Sequence, residues 1–310
     1  MELSENTEKA VMAKNAIQFQ KGLSLQAFLD QYGSEEQCQQ ALYRLRWPEG
    51  FVCPVCGNTS GCALHSRKVY QCHKCHHQTS LTAGTIFHGT KLALTQWFLA
   101  IFLLTQRKQS VSAMQLSRDL GVKYDTAWRM KHKLMQVMLE RNGKGVLGER
   151  IEIDDAYLGG EMPGKRGRGA HHKTPFLAAV ETTHDGRPIK MHLRRVAGFR
   201  QREIARYAST SLLPGSIIFS DRLACFAAVT TVGCQHVPIV TGSGRKAAQH
   251  PTFKWLNTVL GNVKTALTGT CHAIRDRHVP RYLAEFEYRF NRRFDLPSMI
   301  PRLLRACALT

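Results

Sequence analysis

The chain has 310 residues, 43% of them hydrophobic, enough for about two to three domains with buried cores, so disorder is excluded as the default. Its 43 Lys and Arg against 23 Asp and Glu give a formal charge of +20, which calls for a polyanionic partner, nucleic acid or a membrane surface. No apolar run approaches the roughly 18 residues that span a bilayer, and the opening MELSENTEKAVMAKN lacks a signal-peptide core, so a soluble cytoplasmic protein with no membrane partner is expected.

In chain order, Leu25 to Leu45 has helical apolar spacing with a break near Gly33, an N-cap at Ser34 and Glu residues suited to a first turn. This predicts a helical lead-in over residues 1–48. Next come Cys53 and Cys56, matched by Cys72 and Cys75 as C-x2-C-x15-C-x2-C. Two such knuckles place four thiolates around one ion, so a structural Zn²⁺ in a zinc ribbon over residues 49–88 is expected. A redox role is disfavoured because no βαβ pattern surrounds either pair. Cys62, His65, His73, His76 and His77 are nearby but lie outside the symmetric knuckles.

Leu92 to Leu104 reads as a buried helix, with Thr90 or Thr95 near its start. In VSAMQLSRDLGVKYDTAWRMKHKLMQVM, Ala113, Leu116 and Leu120 make one apolar face, Gly121 turns the chain, and a second helix from about Tyr124 carries Trp128, Leu134 and Val137 inward. This is helix-turn-helix spacing, placed in residues 89–140, and its second helix would offer Lys123, Asp125, Arg129, Lys131, His132 and Lys133 to the major groove. The alternative is an ordinary helical hairpin with a solvated basic face.

A glycine-rich basic stretch near residues 141–148 marks a boundary. Then IEIDDAY alternates as a strand, with Ile151 and Ile153 on one face and Glu152 and Asp154 on the other; Asp155 points oppositely and is the second choice as a site residue. MPGKRGRGAHHKTP reads as a basic loop suited to phosphates, offering Lys165, Arg166 and Arg168. Phe176 to Thr182 and Ile189 to Val196 look like a hairpin about Asp185-Gly186. Gln201 to Leu212 is helical, Ser216 to Ser220 is a strand leading to Asp221, Leu223 to Val229 suggests a helix and Gln235 to Val240 a strand. Lys254 to Leu267 and Arg281 to Arg292 are helices.

Three strands, a helix, a strand, a helix, a strand and closing helices give an α/β multidomain chain whose core, over residues 149–296, has ribonuclease H-like topology, with 297–310 as a C-terminal tail. In that topology the first and fourth strands are neighbours, so Asp154 and Asp221 meet. Paired carboxylates repel unless a cation sits between them, and Mg²⁺ is the natural one. Asn257 follows Asp221 after thirty-five residues and offers a neutral carbonyl oxygen; Lys264 lies seven residues further, on the same helical face.

These motifs match a known family. The Cys53 to Cys75 ribbon, IEIDDAYLGG, KRGRGA followed by KTP, the Asp221 to Asn257 interval, NVKTALTGTCHA and YLAEFEYRFNRRF resemble, in order and over about residues 25–295, the bacterial insertion-sequence transposases of the ISXO-two-like branch of the DDE superfamily. The resemblance implies Asp154, Asp221, Asn257 and Lys264 as the D, D, N and K of a catalytic signature, with Mg²⁺ or Mn²⁺ as the catalytic cofactor. It also implies double-stranded DNA, both element ends and target, as partner, a homo-oligomer on DNA, and a nucleoid-associated location. Asn257 stands where many superfamily members carry Glu, and Cys271 where Tyr is expected near Lys264. The rival readings are a domesticated DNA-binding regulator without catalysis and a zinc-ribbon scaffold for other proteins.

Overall fold

The computed structural model describes residues 20–143, 145–159, 173–242, 250–271 and 274–310. Helices α1 (Leu25–Tyr32) and α2 (Glu35–Arg46) open the chain. Ser24 caps α1 and Ser34 caps α2 in a reciprocal box with Gln37, so each helix begins where a side-chain oxygen satisfies an otherwise idle N–H. Strands β1 (Gly61–Leu64), β2 (Val69–Cys72) and β3 (Gln78–Ser80) form a small antiparallel sheet. Helix α3 (Leu94–Gln106) is not capped by either threonine. Glu35 of α2 accepts from the backbone N–H groups of Leu94 (3.1 Å) and Thr95 (3.3 Å) instead, while Thr90 Oγ1 accepts from Trp97 Nε1 at 3.0 Å.

Helices α4 (Ala113–Leu120) and α5 (Tyr124–Asn142) form the helix-turn-helix pair. Gly121 ends α4 at φ 64°, a left-handed conformation that glycine adopts without a steric penalty, and Ser117 Oγ closes the corner on the Val122 carbonyl at 2.6 Å. One apolar core joins Phe28, Leu42, Ile101, Leu116 and Leu134. Residues 297–310, expected as a tail, instead carry helix α9 (Met299–Ala308), whose Leu303, Leu304 and Cys307 are buried in that same core. Its amphipathic spacing lies in the sequence, but what it packs against comes from residues some two hundred positions earlier.

The second core is built on strands β4 (Arg150–Leu158), β5 (Thr174–Thr182), β6 (Pro188–Arg195), β7 (Ile217–Asp221) and β8 (Gln235–Ile239), in the order β6-β5-β4-β7-β8. Strands β4 to β6 run antiparallel, and β7 and β8 run parallel to β4. This is the ribonuclease H-like fold, with the hairpin turning at Gly186 as the Asp-Gly pair predicts. Ile151, Ile153, Leu177 and Ile218 face helix α6 (Gln201–Ser211) and the run Ala224–Val232, which is 3₁₀ rather than α. Ala156, Ala178 and Val180 face helix α7 (Lys254–Cys271), which lies over β4 and β5.

Helix α8 (Val279–Asn291) is wedged between the sheet and α5. On its sheet side Glu287 accepts from the Leu193 N–H and from Arg194 Nη1, both at 2.9 Å. On its other side Glu285 pairs with Arg289 (2.8 Å) and with Lys131 of α5 (3.5 Å). The arginines that end α8 thus belong to a structural seam. Arg289 is buried, Arg292 stacks at 3.7 Å on Tyr288, and Arg293 donates to the carbonyls of Pro188 and Ile189.

Candidate active site and metal centres

Strands β4 and β7 are parallel neighbours with Ile153 opposite Ser220, so Asp154 and Asp221, the next residue on each, emerge side by side at one edge of the core. One carboxylate oxygen each from Asp154, Asp155 and Asp221 lies within 4.8 Å of the others. All three residues are half-buried. Sequence alternation makes Asp155 a poor partner, since adjacent strand residues face opposite ways. The reason it joins is local: Asp154 Oδ1 accepts the Asp155 backbone N–H at 2.8 Å, folding that carboxylate back along its own strand toward its neighbour. Asp221 Oδ1 accepts from the Leu223 N–H at 3.2 Å, so the chain leaving β7 holds the third carboxylate. Three acidic groups so close repel unless a cation stands among them, and hard oxygen donors of this kind suit a divalent metal.

The ribbon holds the second cluster. Cys53, Cys56, Cys72 and Cys75 bring their sulfurs within 4.8 Å of one another, with 3.5 Å between Cys53 and Cys75 and 3.6 Å between Cys56 and Cys72. The knuckles are built alike. The N–H of Gly57 returns to the Cys53 carbonyl (3.0 Å) and that of His76 to the Cys72 carbonyl (3.1 Å), with Gly57 and His76 both at positive φ. Backbone N–H groups of Cys75 and Lys74 directed at the Cys72 sulfur, helped by Asn58, outweigh burial and lower that thiol to about 6, while the neighbouring sulfurs push Cys75 up to about 12 against the His77 N–H, so Cys72 is the first of the four to become a thiolate. Four convergent sulfurs are a donor set for tetrahedral Zn²⁺. Among the described residues the neighbouring histidines and Cys62 are outside this cluster.

A transposase zinc-ribbon domain model matches residues 33–78, and an ISXO2-like transposase domain model matches residues 146–291. The chain belongs to the ISXO2-like transposases. An uncharacterized protein in transposable element ISH50 of Halobacterium salinarum is 28% identical over 166 residues, 48% of this chain. The matched stretch spans 55% of that relative, so the chain covers about half its length. Among solved structures, the Mos1 strand transfer complex (13% identical, TM-score 0.22, 64% of this chain and 76% of that one) and the Mos1 mariner paired end complex with Mn (12%, TM-score 0.21, 64% and 75%) are similar too weakly to support any detail.

In this transposase the remaining expected site residues are not all available to a ligand. Asn257, half-buried, and Lys264, exposed, lie seven residues apart on α7, the helix that crosses β4 and β5. Lys123, Arg129 and Lys133 are exposed on α5 or at its start; Lys133 Nζ also reaches the Ile86 carbonyl at 3.0 Å. Lys131, expected to point at DNA, is buried, donating to the Val111 carbonyl at 2.6 Å and Ser110 Oγ at 3.1 Å beside Glu285. His132, also expected outward, is buried against Trp128 and His278; burial first, then the charges of His278 and Arg281, lower it to about 4. Helical spacing placed both on the polar face of an isolated hairpin, and α8 covers that face. Cys271 lies near Lys131 and Glu285, whose charges act on its thiol after burial has raised it. Lys165, Arg166 and Arg168 lie outside the described residues.

Among the described residues no helix is long and apolar enough to cross a membrane. A cleft of about 990 Å³ lies between α2 and the ribbon and is lined in part by Arg44, His65, Arg67 and Lys68. The strand-end carboxylates are not among its lining residues. The gathered carboxylates, and not the cleft, form the candidate active site, because three acidic oxygens so close together are a donor set for a divalent metal.

Proposed function

We propose that this transposase binds the terminal inverted repeats of its insertion sequence and carries out metal-dependent strand cleavage and strand transfer. The observation that carries the reading is the meeting of Asp154 and Asp221 across β4 and β7, with Asp155 beside them, in a chain matched by a transposase domain. Asp154, Asp221 and Asn257, with Asp155 as a further carboxylate, would hold Mg²⁺ or Mn²⁺; when bound, such an ion polarises a phosphoryl oxygen and offsets the charge of an in-line displacement.

The chain's own groups supply position. Asp154 and Asp221 set the metal-binding edge at the ends of two neighbouring strands, and Lys264 holds a phosphate or the terminal nucleotide beside it. Lys123, Arg129 and Lys133, with Lys165, Arg166 and Arg168 from the basic loop, neutralise backbone phosphates. Water then cleaves the phosphodiester at the element end, leaving a 3′-hydroxyl and a 5′-phosphate, and that hydroxyl attacks a phosphodiester of target DNA in line, forming the new bond as the target's own 3′-oxygen leaves as a 3′-hydroxyl. The reading divides the work among a lead-in (1–48), a ribbon around structural Zn²⁺ (49–88), a helix-turn-helix region (89–140) and the catalytic core (149–296). Two ends cut together call for a dimer or larger assembly on DNA, at the nucleoid of a bacterial cell.

The test is incubation of the purified protein with Mg²⁺ or Mn²⁺ and labelled DNA carrying the flanks of its gene, beside the Asp221→Ala variant. Metal-dependent nicking by the wild type alone supports the reading. End binding without nicking in either protein would favour the domesticated regulator.

A further inference from the structure

Ser220 is the residue of β7 that precedes Asp221, and it is fully buried. Ile218 packs in the core under α6 and the run Ala224–Val232, whereas Phe219 lies against the core under α7. Strand alternation therefore puts the Ser220 side chain on the α6 face of the sheet and that of Asp221 on the α7 face. A hydroxyl in such a place has lost its water, and a small apolar residue would fill the space without that loss. What the hydroxyl binds accounts for the serine.

Ser220 Oγ lies 2.6 Å from the Asp221 carbonyl oxygen and 2.8 Å from His236 Nε2. A serine hydroxyl has one proton and a carbonyl has none, so the 2.6 Å approach of the two oxygens requires the serine proton between them. The contact to His236 must then be closed by a proton on Nε2. His236 Nε2–H thus donates to Ser220 Oγ, and Ser220 Oγ–H donates to the Asp221 carbonyl. Pro238, which stands opposite Ser220 in β8, has no N–H to give; half-buried His236, opposite Ile218, reaches the hydroxyl on the diagonal. Asp221 is held at its carboxylate as well, where Oδ1 accepts the Leu223 N–H at 3.2 Å. The two bonds are linked, because the Asp221 carbonyl fixes the peptide plane between Asp221 and Arg222, and that plane sets how the chain turns to bring the Leu223 N–H back to Oδ1.

We infer that Ser220 and His236 are positioning residues for Asp221: the His236–Ser220 pair holds the Asp221 carbonyl from the far face of the sheet and so fixes the direction in which the Asp221 carboxylate meets Asp154. Neither side chain enters the carboxylate cluster. The inference rests on the reading of Asp221 as a metal ligand, but its first two readouts do not depend on it.

The first readout needs no variant. In the wild-type protein at about pH 8, where an ordinary imidazole is neutral, ¹⁵N NMR of labelled histidine should show His236 as the Nε2–H tautomer; an Nδ1–H tautomer overturns the inference. The second is amide hydrogen exchange without added divalent metal. Ser220→Ala and His236→Leu each break the connection, whereas His236→Gln keeps an N–H donor near the place of Nε2. Exchange at Leu223 should rise at least about tenfold in the first two with α6 unchanged, and His236→Gln should keep most of the protection. Unchanged exchange at Leu223 in folded Ser220→Ala or His236→Leu overturns the connection, as does a His236→Gln protein no better protected than His236→Leu. Third, Mn²⁺ affinity followed by electron paramagnetic resonance should fall roughly tenfold in Ser220→Ala and in His236→Leu, and stay within about threefold of wild type in His236→Gln. The double variant should lose no more than Ser220→Ala alone, since both act through one carbonyl. Wild-type affinity in Ser220→Ala despite raised exchange overturns the positioning role, as does an additive double variant. Wild-type protein that binds no Mn²⁺ would instead overturn the reading of the metal site and leave the tautomer and exchange tests standing.

Discussion

Two groups of carboxylates in this chain have opposite surroundings. In the seam along α8, Glu285 is buried between Lys131 and Arg289, and Glu287 is buried against Arg194. At the ends of β4 and β7, Asp154, Asp155 and Asp221 are half-buried and gathered upon one another. The difference separates structure from chemistry. Acids matched by bases inside a core fix how two layers meet, whereas acids gathered at an accessible edge create a site that a cation completes.

The seam also shows how finely such pairing is balanced. Burial raises the pKa of both glutamates, but Lys131 and Arg289 together reverse this at Glu285 and leave it below its ordinary value. Arg194, the Leu193 N–H and the charge of Arg292 do not suffice at Glu287, which is pushed up to about 7.

The largest effect that would break the comparison lies at the strand ends. Asp154→Ala and Asp221→Ala should each lower DNA cleavage by roughly a thousandfold or more while end binding, followed by gel shift, stays within about threefold of wild type. Cleavage surviving in both variants would show that the cluster is not the active site. Next comes the seam. Glu285→Ala leaves Lys131 buried without its partner and should cost about 3–5 kcal/mol in urea unfolding, while Lys131→Met with Glu285→Leu should recover much of that. If the single and double variants are equally unstable, the seam is held by packing and not by charge.

A smaller effect concerns pH. Because the folded protein keeps a proton on Glu287 that the unfolded chain releases above its ordinary carboxylate pKa, this group's contribution to stability falls as pH rises from about 4.5 to about 7. Glu287→Gln should remove on the order of 2 kcal/mol of that decline, read as the difference between urea midpoints at pH 5 and pH 7.5 compared with wild type. Smallest is the contrast along α5. Lys123→Ala and Arg129→Ala should each weaken DNA binding a few-fold and reduce its salt slope by about 1, as expected of phosphate contacts. Lys131→Ala should lower stability at unchanged salt slope, because its charge is spent inside the seam.

Much of the core was legible because local chemistry alone determines it. The period of two in IEIDDAY, the Asp-Gly turn and the helical spacing of α4 and α5 depend on neighbours a few residues away. Asp155 was harder to place, since strand alternation assigns it to the opposite face and only the fold-back of Asp154 onto its backbone brings it in. The doubled aspartate was the available signal. Lys131 and His132 were misjudged for a different reason. A charged residue on one face of a helix looks solvated until the element that covers it is known, and that element, α8, begins almost one hundred and fifty residues later.

The sequence by itself determined the metal-binding knuckles, since C-x2-C fixes two sulfurs by local backbone geometry, and it determined the strand order that makes Asp154 and Asp221 neighbours. Only the tertiary structure decided which charges stay exposed and which hold the molecule together. It placed α9 in the N-terminal core and closed α8 over Lys131. Burial and pairing are properties of surfaces meeting at long sequence separation, and a helical or strand period read along one segment carries no record of the partner surface.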